Sequence, residues 1–279
     1  MIADYEGDIT NLFKVEVNEE IPILATRNIV LFPGVISPIL VGRKVSINLI
    51  NHLKEAQDTT FAIFCQKDAN NDHPQQGDLY EYGVYAKLVR LLEMPGNDHN
   101  VTIIVQGLGR CRLTELTDTR PFLKGKTVAA NEEMPEEGDS EFKTALDDLR
   151  STTVDYIKQN EEIPDESQFA LNNIQNDIIT VDFICANLPF TIPDKFAMLA
   201  TDSIKERVLL TLKTLHKELQ LLELKQNIRT KTREDIDEQQ REYFLQQQIK
   251  NIKEELGNGE GSPEYHELEM AGGSGESVL

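Results

Sequence analysis

Between Asp194 and Leu256 the chain runs for 63 residues without a proline or a glycine. Fully helical, such a run is roughly 95 Å long at 1.5 Å per residue, well beyond an ordinary globular helix, and it points to a protruding helix or coiled coil. A short helix, Asp194–Ala200, comes first, with a kink near Thr201-Asp202. Thr201 or Ser203 then reads as the cap of the long helix, reinforced by Glu206. Ile204, Val208, Leu212, Leu215, Leu219 and Leu222 form one apolar seam, and Leu245, Ile249, Ile252 and Leu256 a second. Between the seams, Arg229–Glu242 holds nine charged residues and a single aliphatic, Ile236, so this stretch is solvated helix or hinge.

The other end of the chain has a different period. From Ile21 to about Ala130, short segments rich in Val, Ile and Leu are punctuated by Gly and Pro. They are Ile21–Thr26, Asn28–Phe32, Ile36–Val41, Thr60–Gln66, Gly83–Met94, Val101–Gly107, Cys111–Leu116 and Leu123–Ala129. Pro95-Gly96-Asn97-Asp98 makes a hairpin loop. One helix interrupts the series: Val45, Leu49, Ile50, Leu53 and Ala56 recur at helical spacing between Lys44 and Gln57. The pattern implies a mostly antiparallel, curled sheet. Composition then shifts, since residues 131–170 hold 13 acids against 3 bases. Glu132–Asp139 reads as an acidic linker. Beyond it, helical stripes return at Phe142, Leu146, Leu149 and Thr153, and again over Asn173–Asn187 before Leu188-Pro189.

The α+β reading divides the chain into an acidic arm (1–18, with a short edge strand at Lys14–Val17), a β-rich subdomain (19–130), an acidic linker (131–140), a helical bundle (141–200), the long helix (201–257) and a Gly/Ser-rich flexible tail (258–279). The tail resembles an expression remnant, and the expectation is that a larger protein continues where this sequence stops.

Charge and motif content exclude several function classes. The 279 residues carry 28 Lys plus Arg against 48 Asp plus Glu, a net charge of −20. That argues against a nucleic-acid groove, which needs a basic face. No apolar run of 18 residues is present to span a bilayer, and residues 1–20 hold six acids and one lysine, unlike a signal peptide, so a cytoplasmic location is expected. Cys65, Cys111 and Cys185 are too few for a four-cysteine zinc site, and the five histidines are scattered, so no metal is expected. Gly125-Lys126-Thr127 echoes a phosphate-binding loop, but Arg120 stands where its first glycine belongs. Gly107-Leu108-Gly109 reads as a bulge or turn between strands. No catalytic residue is identified.

Two blocks carry a resemblance. Ile21-Pro22-Ile23-Leu24-Ala25-Thr26-Arg27-Asn28-Ile29-Val30-Leu31-Phe32-Pro33-Gly34, continuing through Ser37-Pro38-Ile39-Leu40-Val41-Gly42-Arg43, resembles the opening of the Lon protease N-terminal domain. Gln240-Arg241-Glu242-Tyr243-Phe244-Leu245-Gln246-Gln247-Gln248-Ile249-Lys250, through Glu255-Leu256-Gly257, is similar to the stretch that precedes the ATPase part in the same family. Val84–Gly107 and Phe183–Arg207 match between them, in order and in spacing.

The resemblance implies a PUA-like antiparallel pseudo-barrel, then a helical bundle, then a long protruding helix. It implies an ATP-dependent AAA+ serine protease forming homohexameric rings. The present piece would be its substrate-recognition part, without the ATPase and Ser–Lys protease modules. No cofactor is expected for the piece itself, and ATP with magnesium for the parent. Expected partners are unfolded or damaged proteins. Membrane and nucleic acid are not expected.

The candidate client contacts are Leu31, Phe32 and Pro33 in one turn, and Leu188, Phe190 and Ile192 in another; the alternative for both sets is core packing. On the first reading, Phe32→Ala with Phe190→Ala weakens client binding and leaves folding intact. A structural role is the competing reading, in which Leu245, Ile249 and Ile252 pair with another helix in ring assembly or spacing. The short second seam predicts a monomer or weak dimer for the piece alone. A free-standing adaptor is the third reading, although zinc-bearing adaptors of that kind need four cysteines.

Overall fold

The computed structural model describes residues 20–56, 59–93 and 101–257. The expected acidic arm, the Lys14–Val17 strand, the Pro95–Asp98 loop and the tail after Gly257 lie outside the described residues. The chain divides into two compact units, one extending to Gln220 and one starting at Leu221.

The first unit begins with six strands: β1 (Ile21–Thr26), β2 (Ile36–Val41), β3 (Thr60–Cys65), β4 (Tyr82–Glu93), β5 (Val101–Asp118) and β6 (Leu123–Ala129). Their order is β2-β5-β4-β3-β1-β6, and a further β5–β6 pairing closes five of them into a ring. All pairings are antiparallel except β1 with β3. Among the described residues, closure leaves β2 at the edge, and the edge strand carries Pro38, a residue that a central strand excludes.

A single strand, β5, makes the closure possible. The sequence suggests two strands here, interrupted at Gly107-Leu108-Gly109. Instead, one 18-residue strand pairs with β2 through its first part and with β6 through its last. Between the pairs Val84–Arg110 and Ala86–Gly107, β5 carries one extra residue, so the glycine pair marks a bulge inside a continuous strand. The barrel interior is filled by Ile21, Ile23, Phe64, Leu79, Tyr85, Cys111 and Leu113, all buried. Helix α1 (Lys44–Glu55) covers β1 and β6 and buries Leu49, Ile50 and Leu53, the stripe that the sequence indicates.

Asn28–Phe32 is not a strand. It belongs to an irregular connection with Asn28 at φ 57° and Gly34 at φ 72°. Its polar backbone is satisfied by the barrel: Gly34 N–H donates to the Gly107 carbonyl (3.0 Å), and Gly107 N–H donates to the Val35 carbonyl (3.0 Å). A Cβ on Gly107 would lie 2.2 Å from the Phe32 carbonyl oxygen, so glycine is required for this approach.

Four helices complete the unit together with the start of a fifth: α2 (Ser140–Gln159), α3 (Glu166–Asn173), α4 (Asp177–Asn187), α5 (Ile192–Ala200) and the first part of α6 (Ile204–Gly257). Each start has a chemical cause. The Asp139 carboxylate accepts from Phe142 N–H at 3.0 Å, and the Asn176 side chain accepts from Ile179 N–H at 3.0 Å. Thr191 caps α5, whose first turn holds Pro193, and the Ser203 hydroxyl accepts from Glu206 N–H at 3.4 Å. The single helix anticipated over Asn173–Asn187 starts four residues later because Asn176 caps it, and α3 precedes it. All residues of α4 from Ile178 to Cys185 are buried, which makes it the centre of the bundle. Of the first seam of α6, Ile204, Val208 and Leu215 are fully buried, and Leu212, Leu219 and Leu222 are partly buried.

In the second unit, every described residue of α6 from Glu223 to Glu255 is exposed. Leu245, Ile249 and Ile252 share one helical face there, each about half accessible. No helix among the described residues is long and apolar enough to cross a membrane.

Candidate functional site: an apolar sheet face and the charge clasp behind it

Leu31, Phe32 and Pro33 are buried, Phe32 at 0 % exposure. Leu188 and Phe190 are also buried, and Ile192 is half-buried. The turn after Phe32 is therefore not an exposed tip. It is a joint, in which the left-handed Gly34 lies so close to α4 that a Cβ would touch the Ile179 side chain at 3.4 Å. None of the five buried side chains can meet a client on the folded surface, which corrects the expectation of exposed contact there.

The exposed apolar surface lies elsewhere. Strands β2, β5 and β4 run side by side, and their pairing places residues in rows across the sheet. Ile36, Gln106 and Lys87 form one row, Pro38, Ile104 and Arg90 the next, and Leu40, Thr102 and Leu92 the third. The alternate rows, including Ile39, Ile103 and Val105, face the core and are buried. The outward rows leave Leu40 65 % and Leu92 42 % exposed, facing each other across Thr102. Val89 is the extra residue of a bulge in β4 between Leu88 and Arg90, and it adds a third exposed apolar side chain. A contiguous apolar face on an edge-strand ribbon, rimmed by Arg90 and Lys87, is the kind of surface that binds another polypeptide.

Behind this sheet, a cluster of charges locks the barrel to the helices. Arg110 of β5 and Arg207 of α6 are both fully buried, and Glu132 bridges them. Glu132 Oε1 accepts from Arg110 Nε at 2.5 Å, and its Oε2 accepts from Arg207 Nη2 at 3.1 Å. Arg207 Nη1 also donates to Asp182 Oδ1 (3.2 Å), and Arg110 Nη2 to Asp202 Oδ1 (3.2 Å). The remaining guanidinium hydrogens find backbone: Arg110 Nη1 donates to the Leu199 carbonyl (2.7 Å), and Arg207 Nη2 to that of Thr201 (2.8 Å). The supposed acidic linker is thus stitched down. Glu132 is only 16 % exposed in its side chain, Glu133 N–H donates to the Asp202 carbonyl (3.0 Å), and Lys205 pairs with Asp139 and Glu141. A tilted Tyr80–Phe196 ring pair, centroids 4.2 Å apart, forms a second tie between barrel and bundle. Sequence reasoning passed over these charges. The available signal was Arg207 itself, which falls on the buried stripe of Ile204, Val208 and Thr211.

Asp182 is the strained member of the cluster. Burial pushes its pKa up to about 7; Arg207 and Arg110 oppose the shift and Glu132 adds to it. Its Oδ2 has no hydrogen-bond partner among the described residues. The unfolded carboxyl ionises near pH 4, so between about pH 4 and about pH 7 the unfolded state holds fewer protons than the folded one. Stability from this group is then lost as pH rises through that window and is level above it. Asp139, whose pKa is lowered by the Phe142 N–H and by Lys205, acts below the window. The expected result is that Asp182→Asn flattens the decline in stability from pH 4 to 7, read by urea denaturation across that range. Parallel profiles for the variant and the parent chain would refute the assignment.

The fold and the family match together define the chain as a substrate-binding domain. Residues 20–217 match the family described as "ATP-dependent protease La (LON) substrate-binding domain". The chain is 38 % identical over 274 residues to the Lon protease of Flavobacterium johnsoniae, covering 95 % of this chain and 33 % of that protein. It is 41 % identical over 268 residues to the Lon protease of Parabacteroides distasonis, covering 95 % and 32 %. Among solved structures, the N-terminal domain of a Mycobacterium avium complex Lon protease superimposes with a TM-score of 0.57 at 16 % identity, over 71 % of this chain and 98 % of that one. The chain belongs to the Lon protease family and carries its N-terminal substrate-binding domain. It spans about one third of the length of these relatives.

Proposed function

We propose that this chain engages unfolded or damaged polypeptides for a cytoplasmic, ATP-dependent Lon serine protease, and that clients dock on the β2–β5–β4 face. The observation that carries this reading is the pair Leu40 and Leu92, exposed on adjoining strands of one sheet face while their neighbours fill the core. Unfolding exposes apolar side chains along a client, and such a face removes them from water. ATP and magnesium would serve the enzyme outside this stretch. Gly125-Lys126-Thr127 lies within β6, where Gly125 pairs with Ile21 and Leu116, so these residues do not form a phosphate loop.

Binding of a reduced, alkylated, permanently unfolded protein, followed by fluorescence anisotropy, tests the assignment. Leu40→Lys combined with Leu92→Lys is expected to weaken binding about tenfold or more, from loss of a few kcal/mol of apolar burial, without altering the circular dichroism spectrum. Unchanged affinity in the folded double variant would remove this face from the function.

The exposed Leu245, Ile249 and Ile252 favour a second role for α6, pairing with a copy of itself in a homohexameric parent. A seam this short holds weakly on its own. Sedimentation velocity should show monomer or weak dimer for this chain; a tight hexamer would mean that the assembly determinants reside here.

A further inference from the structure

We propose that a client adds a strand of its own to the outer edge of β2, and that the segment recognised there is extended, acidic and apolar at alternate residues. The inference rests on the reading of the β2–β5–β4 face as the docking surface and concerns how the client is held on it.

The ladder fixes which backbone groups are available. Gly107 N–H donates to the Val35 carbonyl at 3.0 Å, and the register from Ile36–Gln106 to Val41–Val101 runs without a shift. Bonded and non-bonded pairs alternate along an antiparallel ladder. Ser37, Ile39 and Val41 therefore exchange bonds with β5, and Ile36, Pro38 and Leu40 turn their backbone groups the other way. No described residue pairs with that side of β2. Pro38 has no N–H, and it stands where the β5 ladder needs none. The edge thus presents two donors, from Ile36 and Leu40, and the carbonyls of Ile36, Pro38 and Leu40 as acceptors.

Proteins ordinarily close such an edge with charge, a bulge or a cover. Among the described residues β2 has none of these: Ile36-Ser37-Pro38-Ile39-Leu40-Val41 is uncharged and regularly paired, and its one blocking residue, Pro38, removes a single donor. Ile36, Pro38 and Leu40 also carry the outward side chains, with Leu40 65 % exposed. Facing residues of a bonded pair put their side chains on the same side of the sheet. Alternate side chains of an added strand would therefore cover Leu40 while its backbone meets the edge. Charge selects the partner. Lys87 and Arg90 are exposed, stand in the rows of Ile36 and Pro38 at two strand spacings, roughly 10 Å, and form no ion pair among the described residues. The one acid in the paired parts of these three strands, Glu93, falls in an alternate row opposite Val101. In a chain of net charge −20 this face is locally basic, and it attracts acidic segments most strongly at low ionic strength.

A short labelled peptide of alternating valine and serine, with glutamate at each end, tests the mode on the 279-residue chain at low ionic strength, read by anisotropy. Methylating the valine amides, which face β2 when the valines lie beside Leu40, should weaken binding about tenfold or more, and methylating the serine amides, which face solvent, by less than about twofold. A lysine-ended twin should bind about threefold more weakly. Pro38→Val supplies the missing donor and should tighten binding about fivefold, the effect of one neutral hydrogen bond. Hydrogen exchange at the Ile36 and Leu40 amides should slow when the peptide binds. Equal losses in the two methylated peptides, or equal affinity for the lysine-ended one, would overturn the proposal. So would slow exchange at Ile36 and Leu40 before peptide is added, which would mean that a second copy or another part of this chain already occupies the edge. If the methylated peptides bind alike while Leu40→Lys with Leu92→Lys still loses the unfolded protein, strand addition falls and the docking face stands; if that double variant keeps full affinity, the docking face itself falls.

Discussion

Glu132→Ala is expected to lower folding stability by about 3 to 5 kcal/mol, the range found when one partner is removed from a buried ion pair. The reason lies in what remains. Arg110 and Arg207 are both fully buried and both rely on the two oxygens of this one carboxylate. Without it, Arg207 keeps Asp182, a carboxyl that burial itself drives toward the neutral form, and Arg110 keeps the half-exposed Asp202. Two guanidinium groups would then sit in a low-dielectric joint with too little negative charge between them. For a unit of this size, such a loss moves the thermal midpoint by roughly 10 °C. Replacing Glu132, Arg110, Arg207 and Asp182 together with apolar residues of similar volume should recover most of the loss, because the penalty belongs to the unpaired charges. A change of less than about 1 kcal/mol in Glu132→Ala, the level of a surface ion pair, would show that the clasp does not hold barrel and bundle together.

The clasp was hidden in the sequence for a definite reason. Glu132 stands in a run of acids, and runs of acids are ordinarily solvated. Nothing local distinguishes the one carboxylate that two distant arginines, at positions 110 and 207, will enclose. Where the signal is local, the sequence is legible. Leu49, Ile50 and Leu53 mark α1 by their spacing, Ser203 and Glu206 mark the start of α6, and a 63-residue run free of Pro and Gly marks its length. Asn28–Phe32 shows the opposite case. Its Val-, Ile- and Leu-rich composition suits a strand, but the turn that follows it is bonded to Gly107 through Gly34 and Val35 and rests against Ile179, contacts 70 and more residues away. The exposed sheet face had a readable clue in the alternation of β2, where Leu40 takes an outward position between inward Ile39 and Val41. An exposed leucine in a strand is common, however, and only the pairing with β4 through Thr102 turns it into a patch.

Phe32→Ala is the substitution that separates the two readings of the Leu31–Gly34 turn most sharply, and it is expected to destabilise the chain by about 3 to 5 kcal/mol, as truncation of a buried aromatic does. Phe32 has no exposed surface, so its ring contributes packing and cannot contribute contact with a client. The backbone around it is held at close quarters, with the Phe32 carbonyl against Gly107 and Gly34 against α4. The surroundings therefore have little freedom to collapse into the space the ring leaves, and a poorly relaxing cavity lies at the costly end of the range. Leu40→Lys provides the contrast: it alters an exposed side chain and should shift stability by no more than about 0.5 kcal/mol while weakening client binding. Urea denaturation and anisotropy measured on the two variants should thus give opposite patterns, stability lost in one and affinity in the other. If Phe32→Ala keeps its stability and loses client affinity, the turn opens in solution, and the docking site must be moved from the sheet face to the joint between barrel and α4.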